Sequence, residues 1–134
     1  SQRTWEGWLR PSEDLNQTPY VTEQLDTMVA LMGEFHRPFG HRLGRAILAY
    51  VANYPEAEGG GRHEALTNAM ADQVELRLLP KLRGVDIDQA GAAFDKLCAF
   101  VERDLGDEVL AQAIKTSVEH SEATGQFVWS GAAR

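Results

Sequence analysis

The chain has 134 residues, of which 43% are hydrophobic and 25% charged, and its formal net charge is −7. This length suits one domain whose core is large enough to fold without metals or disulfides. The acidic balance disfavours nucleic-acid binding by this segment alone, because such binders usually carry a basic excess or a basic stripe.

The single cysteine and the hydropathy of the chain indicate where in the cell the protein is expected. The single cysteine, Cys98, cannot form an internal disulfide and lies in an apolar run, which favours a buried structural thiol over a nucleophile. No apolar stretch approaches the roughly 20 residues of a membrane span, and the first residues have no signal-peptide pattern. The sequence therefore predicts a cytoplasmic protein without membrane contact.

The chain begins with an irregular leading segment, predicted to cover residues 1–18. Trp5 and Trp8 are three residues apart and can share one face of a short turn. They either fasten this segment onto the body of the protein or form an exposed aromatic patch.

Two helices are predicted next. The first, Pro19 to His36, has apolar residues at alternating spacings of four and three, and Pro38 with Gly40 then interrupts the chain. Its apolar stripe consists of Val21, Leu25, Met28, Met32 and Phe35. The second helix, His41 to Asn53, ends before Pro55. The triple glycine that follows lacks the lysine and Ser/Thr of a phosphate loop, so a surface linker is predicted there.

The third helix is predicted from His63 to Leu79 and is closed by Pro80 and Gly84. Two cations, Lys81 and Arg83, follow its end. They complement the helix dipole in the simpler interpretation and contact a ligand in the other.

The last two helices have acidic starts. Asp86 and Gln89 have the spacing of a capping box, and the fourth helix runs on to Leu105. Gly106 and Asp107 mark a break before a fifth helix that reaches about Ala123. Residues 125–134 form a short apolar tail, predicted to be extended and to pack back on the helices. The chain is thus predicted to be all-α, a bundle of four to five helices over residues 19–124.

Catalytic and metal-binding patterns are missing from the sequence. Its four histidines are scattered, no Ser lies in a nucleophile elbow, and no Cys/His cluster has metal-ligand spacing. An acid/base group of His63, Asp72 and Glu75 is conceivable, but its spacing does not stand out from that of any acidic helix. We predict no catalytic residue and no metal, and therefore not a complete enzyme.

The start of the second helix has a distinctive charge pattern. His41, Arg42 and Arg45 fall in its opening turns, where backbone N–H groups lack intrahelical partners and the helix dipole is positive. Such a start can bind an anionic ligand. The competing interpretation is a surface ion pair between Arg42 and a carboxylate such as Glu34.

These segments resemble a known family. A Phe-Gly-x-Arg helix opening at Phe39–Arg42 and the stretch Leu78–Gly84, Leu-Leu-Pro-Lys-Leu-Arg-Gly, are similar to the C-terminal helical lid of AAA+ NTPases of the McrB type. The resemblance covers about residues 19–105, and the Phe127–Trp129 tail matches more weakly. It implies a bundle of the AAA+ lid type.

The resemblance also implies a role for particular residues. Arg42 matches the sensor-2-like arginine that reaches the terminal phosphate of the nucleotide. His41, Arg45, Lys81 and Arg83 are secondary contacts. The implied cofactor is ATP or GTP with Mg²⁺, bound by the parent protein and not by this chain alone. The implied partners are the AAA+ core domain, neighbouring subunits and, only through the parent assembly, DNA.

The sequence departs from whole proteins of that family, because it has no Walker A loop and no strand ending in acidic residues. We therefore expect either a lid from a longer chain or a degenerate free-standing relative. The alternative function is a helical interaction module that docks through Trp5 and Trp8 or through Phe127 and Trp129. A small acid/base enzyme is a third hypothesis.

Overall fold

Five α-helices follow one another in the computed structural model, which describes residues 18–56 and 58–131. They are α1 (Thr18–Glu34), α2 (His41–Asn53), α3 (Arg62–Gln73), α4 (Gly91–Ala99) and α5 (Glu108–His120). Within these ranges the chain has no β-strand, so the predicted all-α class is confirmed for the described residues, and their five α-helices fall within the predicted four to five. Residues 1–17 of the predicted leading segment, with Trp5 and Trp8, lie outside these ranges, and Thr18 already belongs to α1.

Helix α1 ends two residues before the predicted position, in a Schellman motif. The N–H of His36 donates to Gly33 O at 3.0 Å, and the N–H of Arg37 donates to Met32 O at 2.9 Å. His36 adopts the left-handed conformation that this motif requires, with φ of 59°. Pro38 favours this early end, because it pushes Arg37 out of the helical region.

Helix α3 does not run regularly to Leu79 as predicted. After Gln73 the chain widens into a π-helical turn, Val74–Leu78, and then tightens into a 3₁₀ turn, Leu79–Leu82. The N–H of Leu79 donates to Val74 O, five residues back. Pro80 explains the change of pitch, since it has no N–H and its ring would clash with the carbonyl four residues earlier.

The predicted cap at Asp107 is confirmed, whereas Asp86 does not cap the fourth helix, which has Ala90 at its N-cap position and no side-chain hydrogen bond there. Asp86 Oδ1 accepts hydrogen bonds from the N–H groups of Asp88 at 2.9 Å and Gln89 at 3.0 Å. These bonds stabilise a turn, and regular α4 begins later, at Gly91, before a second π-helical turn at Phe100–Asp104. Asp107 Oδ1 accepts from the N–H of Leu110 at 2.9 Å and starts α5.

The described part of the C-terminal tail, residues 125–131, packs back on the core, as predicted, and forms one isolated bridge, between Gln126 and Asp86. The N–H of Phe127 donates to Val85 O at 2.8 Å, and the N–H of Gly84 donates to Phe127 O at 2.9 Å. The Phe127 side chain is fully buried, with its ring 4.8 Å from that of Phe94. Phe94 in turn meets Phe35 edge to face at 4.7 Å. The tail thus completes the core.

Two side-chain contacts show how α4 lies against α1. Lys96 Nζ is 2.7 Å from Glu34 Oε1 at the end of α1, and the Tyr20 hydroxyl donates to Asp104 O at 3.0 Å near its start. The two helices are therefore antiparallel. The predicted stripe of α1 is buried between the helices. None of the helices in the described ranges is both long and apolar enough to cross a membrane.

Candidate functional site

The start of α2 has no side-chain cap. Gly40 occupies the N-cap position in an extended conformation, and its carbonyl accepts the first helical hydrogen bond from Gly44 at 3.1 Å. Glycine offers no side-chain acceptor to the free N–H groups of the first turn. The first turn also contains no acidic residue. The positive end of this helix therefore has no compensating group of its own.

Arg42 lies exposed in that first turn. Its guanidinium makes no hydrogen bond or ion pair with the described residues. The expected competing partner, Glu34, is instead paired with Lys96 at 2.7 Å. His41 and Arg45 are also exposed, and both take part in interactions of their own. Of the three predicted residues on this helix, Arg42 is thus the one with an uncommitted charge in the described part of the chain.

The predicted cations after α3 are exposed as well. Lys81 lies in the 3₁₀ turn and Arg83 follows it. The carbonyl of Arg83 accepts a hydrogen bond from Arg37 Nη2 at 3.3 Å. Arg37 belongs to the loop between α1 and α2, so this bond ties the approach to α2 to the end of the α3 segment.

Helix α2 and helix α3 form an antiparallel pair. The Tyr50 hydroxyl donates to Asp72 Oδ2 at 3.0 Å, while Tyr54, the residue that follows α2, lines a cleft with Asn68, one turn earlier in α3. Following the pair toward the start of α2 therefore leads toward the end of the α3 segment. The hydrogen bond from Arg37 to Arg83 O agrees with this direction, because Arg37 precedes α2 and Arg83 follows the α3 segment.

Sequence reasoning missed Arg37, which joins the two segments. Its Nη2 atom donates to Arg83, whereas its Nε is buried without a hydrogen-bond partner in the described residues. The side chain lines a cleft of about 290 Å³ with Gly84 and Gln89. Pro38 was the sequence signal that could have drawn attention to Arg37. It favours the end of α1, where His36 adopts a left-handed conformation and the chain turns just before Arg37.

Comparison with protein-family models places the chain. A model described as "Domain of unknown function (DUF8727)" matches residues 5–126. The chain belongs to this family. Comparisons with curated proteins and with solved structures give no match. The DUF8727 match includes α1 to α5 and all five predicted site residues, and it ends one residue before the buried Phe127.

The conceivable acid/base group of this DUF8727 chain is not assembled. His63 packs edge to face against Tyr20 with ring centroids 4.8 Å apart, whereas Asp72 accepts the hydrogen bond of Tyr50. Burial first, and then this hydrogen bond to Asp72, raises the pKa of Tyr50. No group of three or more metal-ligating side chains occurs among the described residues.

Cys98 is a buried structural thiol, as predicted. Its Sγ lies 3.9 Å from Ala111 O, and burial raises the pKa of the thiol to about 11. At neutral pH the thiol stays protonated and is a poor nucleophile.

The aromatic tail offers less surface than the interaction hypothesis requires. Phe127 is fully buried and Trp129 is packed partly against the core, so Phe127 is not available for docking. Val128, between them, is 51% exposed. The other half of that hypothesis, Trp5 and Trp8, lies outside the described residues.

Proposed function

We propose that this chain is the C-terminal helical lid of an AAA+ NTPase of the McrB type, a nucleotide-sensing domain that is not catalytic alone. In this proposal the chain is part of a motor of a DNA-restriction or related system. One observation carries the proposal: Arg42 is exposed and unpaired among the described residues, in the uncapped first turn of α2.

Arg42 has an electrostatic cost at this position. A cation beside the positive end of a helix dipole is unfavourable by about 0.3–1 kcal/mol in the absence of an anion. A phosphate group reverses the sign, because it accepts from the free N–H groups of the first turn and from the guanidinium. The planar fork of Arg42 suits a terminal phosphate better than a lysine would. The arrangement is therefore stabilised by an anionic ligand.

The ligand's other contacts come from elsewhere in this proposal. The AAA+ core domain would hold ATP or GTP with Mg²⁺ and activate water, and Arg42 would report whether the terminal phosphate is present. His41, Arg45, Lys81 and Arg83 are secondary contacts at the same end of the α2–α3 pair. A helix start is a rigid mount, so loss of the phosphate would release the whole lid to rotate relative to the core.

The decisive test is nucleotide hydrolysis by the longer protein to which this proposal assigns the chain. Arg42→Ala is expected to lower kcat by about tenfold or more, since it removes a charge that contacts the transferred phosphate. Arg42→Lys should retain part of the activity. The matched control is Lys115→Ala, which removes an exposed cation from α5. Hydrolysis at the unmodified rate by Arg42→Ala would contradict the proposal.

Two further measurements address the same proposal. The isolated 134-residue chain should bind ATP and GTP only weakly, because it supplies a small part of the nucleotide's contacts. Tight binding by this chain in calorimetry would contradict a lid role. The reading frame upstream of Ser1 should encode a Walker A segment followed by an apolar strand that ends in acidic residues.

A further inference from the structure

The cleft beside Arg37 is a second place where the chain has room for a ligand. It encloses about 290 Å³ between the end of α1 and residues 84–90, and Arg42 is not among the residues that line it. Ligand sites commonly measure about 300–1,000 Å³, so this cleft suits a ligand of a few non-hydrogen atoms.

Charges of both signs line this cleft. Arg37 contributes a guanidinium, and Asp86 and Glu34 contribute carboxylates; His36, which also lines it, is neutral in the formal charge count. Within the part of the chain that the structure describes, Arg37 forms an ion pair with neither carboxylate. Two opposite charges, those of Arg37 and Asp86, therefore share a small cleft without touching each other.

Most of the hydrogen-bonding capacity of Arg37 is unused. A guanidinium has five N–H groups, and the one hydrogen bond that it donates to a described residue runs from Nη2 to Arg83 O at 3.3 Å. Its Nε is buried without an acceptor among the same residues, which is destabilising. The guanidinium is thus a poorly satisfied cation in this chain alone, and an acceptor in the cleft stabilises it through its remaining N–H groups.

Asp86 is held in place by the turn that it stabilises. Its Oδ1 accepts hydrogen bonds from the N–H groups of Asp88 at 2.9 Å and Gln89 at 3.0 Å. These two bonds fix the orientation of the carboxyl group, whereas Oδ2 accepts no hydrogen bond from the described residues. The second oxygen is therefore the one that remains for the ammonium group of a ligand.

Backbone hydrogen bonds hold both walls of the cleft. On one side, the Schellman motif at the end of α1 fixes His36 and Arg37. On the other side, the N–H of Gly84 donates to Phe127 O at 2.9 Å. The walls meet at Gly84, where an added Cβ would lie 3.8 Å from Arg37 Nη2. Such fixed walls lose little conformational freedom when a ligand binds.

We propose that this cleft binds a small zwitterion of the amino-acid class. The carboxylate of the ligand accepts hydrogen bonds from Arg37, and its ammonium group donates to Asp86. One ligand then completes the two charge pairs that the chain leaves open. The inference goes beyond the proposed function and does not depend on it, because Arg42 takes no part in this cleft.

A zwitterion fits the cleft better than a ligand with one charge. Asp86 and Glu34 repel a simple anion, and Arg37 repels a simple cation. Glu34 is already paired with Lys96 at 2.7 Å, so one cation and one unpaired carboxylate remain among the lining side chains. A ligand with one charge of each sign matches this balance.

The test is an NMR titration of the isotope-labelled 134-residue chain with glycine, β-alanine and γ-aminobutyrate. These three zwitterions place the ammonium and carboxylate groups at increasing separations. At least one is expected to bind with a Kd of about 0.1–10 mM. Acetate and methylammonium each carry one of the two charges and should bind at least about tenfold more weakly, since each makes one charge pair and meets one like charge.

Two near-isosteric variants with matched controls test the assigned residues. Arg37→Gln and Asp86→Asn should each raise the Kd of the best zwitterion about tenfold or more, because each removes one charge pair. Asp86→Asn keeps the Oδ1 acceptor that the turn requires. Arg83→Gln and Asp88→Asn are the controls, since these residues contribute a main-chain carbonyl and a main-chain N–H, and both should leave the Kd unchanged.

Several results would overturn the proposal. They are a failure of all three zwitterions to bind, binding of acetate or methylammonium as tight as that of the best zwitterion, and an unchanged Kd in a folded Arg37→Gln or Asp86→Asn variant. Circular dichroism checks the folding of each variant, and the ligand panel tests the unmodified chain if a variant misfolds.

The shifted NMR signals also locate the ligand. They should cluster at residues 34–37 and 84–90, and shifts confined to the start of α2 would contradict this site. The proposed function has its own readout, hydrolysis by Arg42 variants. Failure of the titration together with a large effect of Arg42→Ala would remove the zwitterion site and leave the lid role standing.

Discussion

Helices α2 and α5 have the same length but begin in opposite ways. The start of α5 has a complete set of stabilising groups: Asp107 accepts a hydrogen bond from Leu110 at 2.9 Å, and Glu108 places an acidic side chain in the first turn. At the start of α2, Gly40 provides no cap, and His41 and Arg42 place basic side chains where acidic ones would be stabilising. One helix start follows the electrostatic rules and the other reverses them.

The difference separates a structural region from a candidate binding region. A cap and a favourable first-turn charge are together worth about 1–2 kcal/mol, which is a large part of the stability of a small domain. Local departures from such rules tend to occur where function requires them. By these rules the start of α5 is a structural feature, and the start of α2 is the place to look for a ligand.

The largest expected effect lies in the structural region. Phe127→Ala should lower the free energy of unfolding by about 3–5 kcal/mol, because it empties a fully buried site beside Phe94 and leaves a cavity. Urea unfolding followed by circular dichroism measures it. The control, Val128→Ala, truncates a 51% exposed side chain and should change stability by less than about 0.5 kcal/mol. Equal losses for the two variants would remove the tail from the core.

The second effect tests the cap itself. Asp107→Ala should cost about 1 kcal/mol of stability, because the N–H of Leu110 loses its acceptor. Asp88→Ala is the control, since Asp88 is exposed and contributes its backbone N–H, not its side chain, to the turn at Asp86. The same urea titrations apply. A cost for Asp88→Ala as large as that for Asp107→Ala would show that the cap is not the source of the effect.

A third effect concerns the turn that leads into α2. His36→Gly should raise the unfolding free energy by up to about 1 kcal/mol, because glycine adopts a positive φ without the steric cost of a side chain. The same replacement at His120, the last residue of α5, should instead lower stability, since glycine is a poor helix former. Thermal unfolding of both variants compares the signs, and a loss of stability in His36→Gly would contradict the Schellman assignment.

Much of the fold could be predicted from the sequence, because the features that start and end a helix lie close together along the chain. The bounds of α2 agree with the prediction, and so does the cap at Asp107 after the break at Gly106. The capping-box spacing of Asp86 and Gln89 instead marked a turn that precedes α4. The two π-helical turns were not predicted, although Pro80 lies just after one of them. No proline lies near the other turn, Phe100–Asp104, and hydrophobic periodicity does not report a local change of helical pitch.

The candidate site was predicted in part. Sequence placed Arg42 in the first turn of α2 and noted the cations after α3, but not the bond from Arg37 that joins the two segments. Such a contact spans 46 residues and depends on the antiparallel packing of α2 and α3. The ion pair suggested for Arg42 was wrong, because Glu34 faces Lys96 across the α1–α4 interface. Long-range side-chain pairing requires the fold.

The smallest expected effect sharpens the comparison most. Arg42→Glu in the 134-residue chain should raise the unfolding free energy by about 0.5 kcal/mol, because it replaces a repelled cation by an anion that the helix dipole attracts. The gain should shrink at high salt, as a dipole interaction at an exposed position does. The same change at Lys115, in the second half of α5, lies far from a helix start and should lack the gain.

In the longer protein, Arg42→Glu should abolish hydrolysis. A variant that is more stable and less active would locate a conflict between stability and function at this helix start, whereas a less stable Arg42→Glu would mean that Arg42 has a structural role.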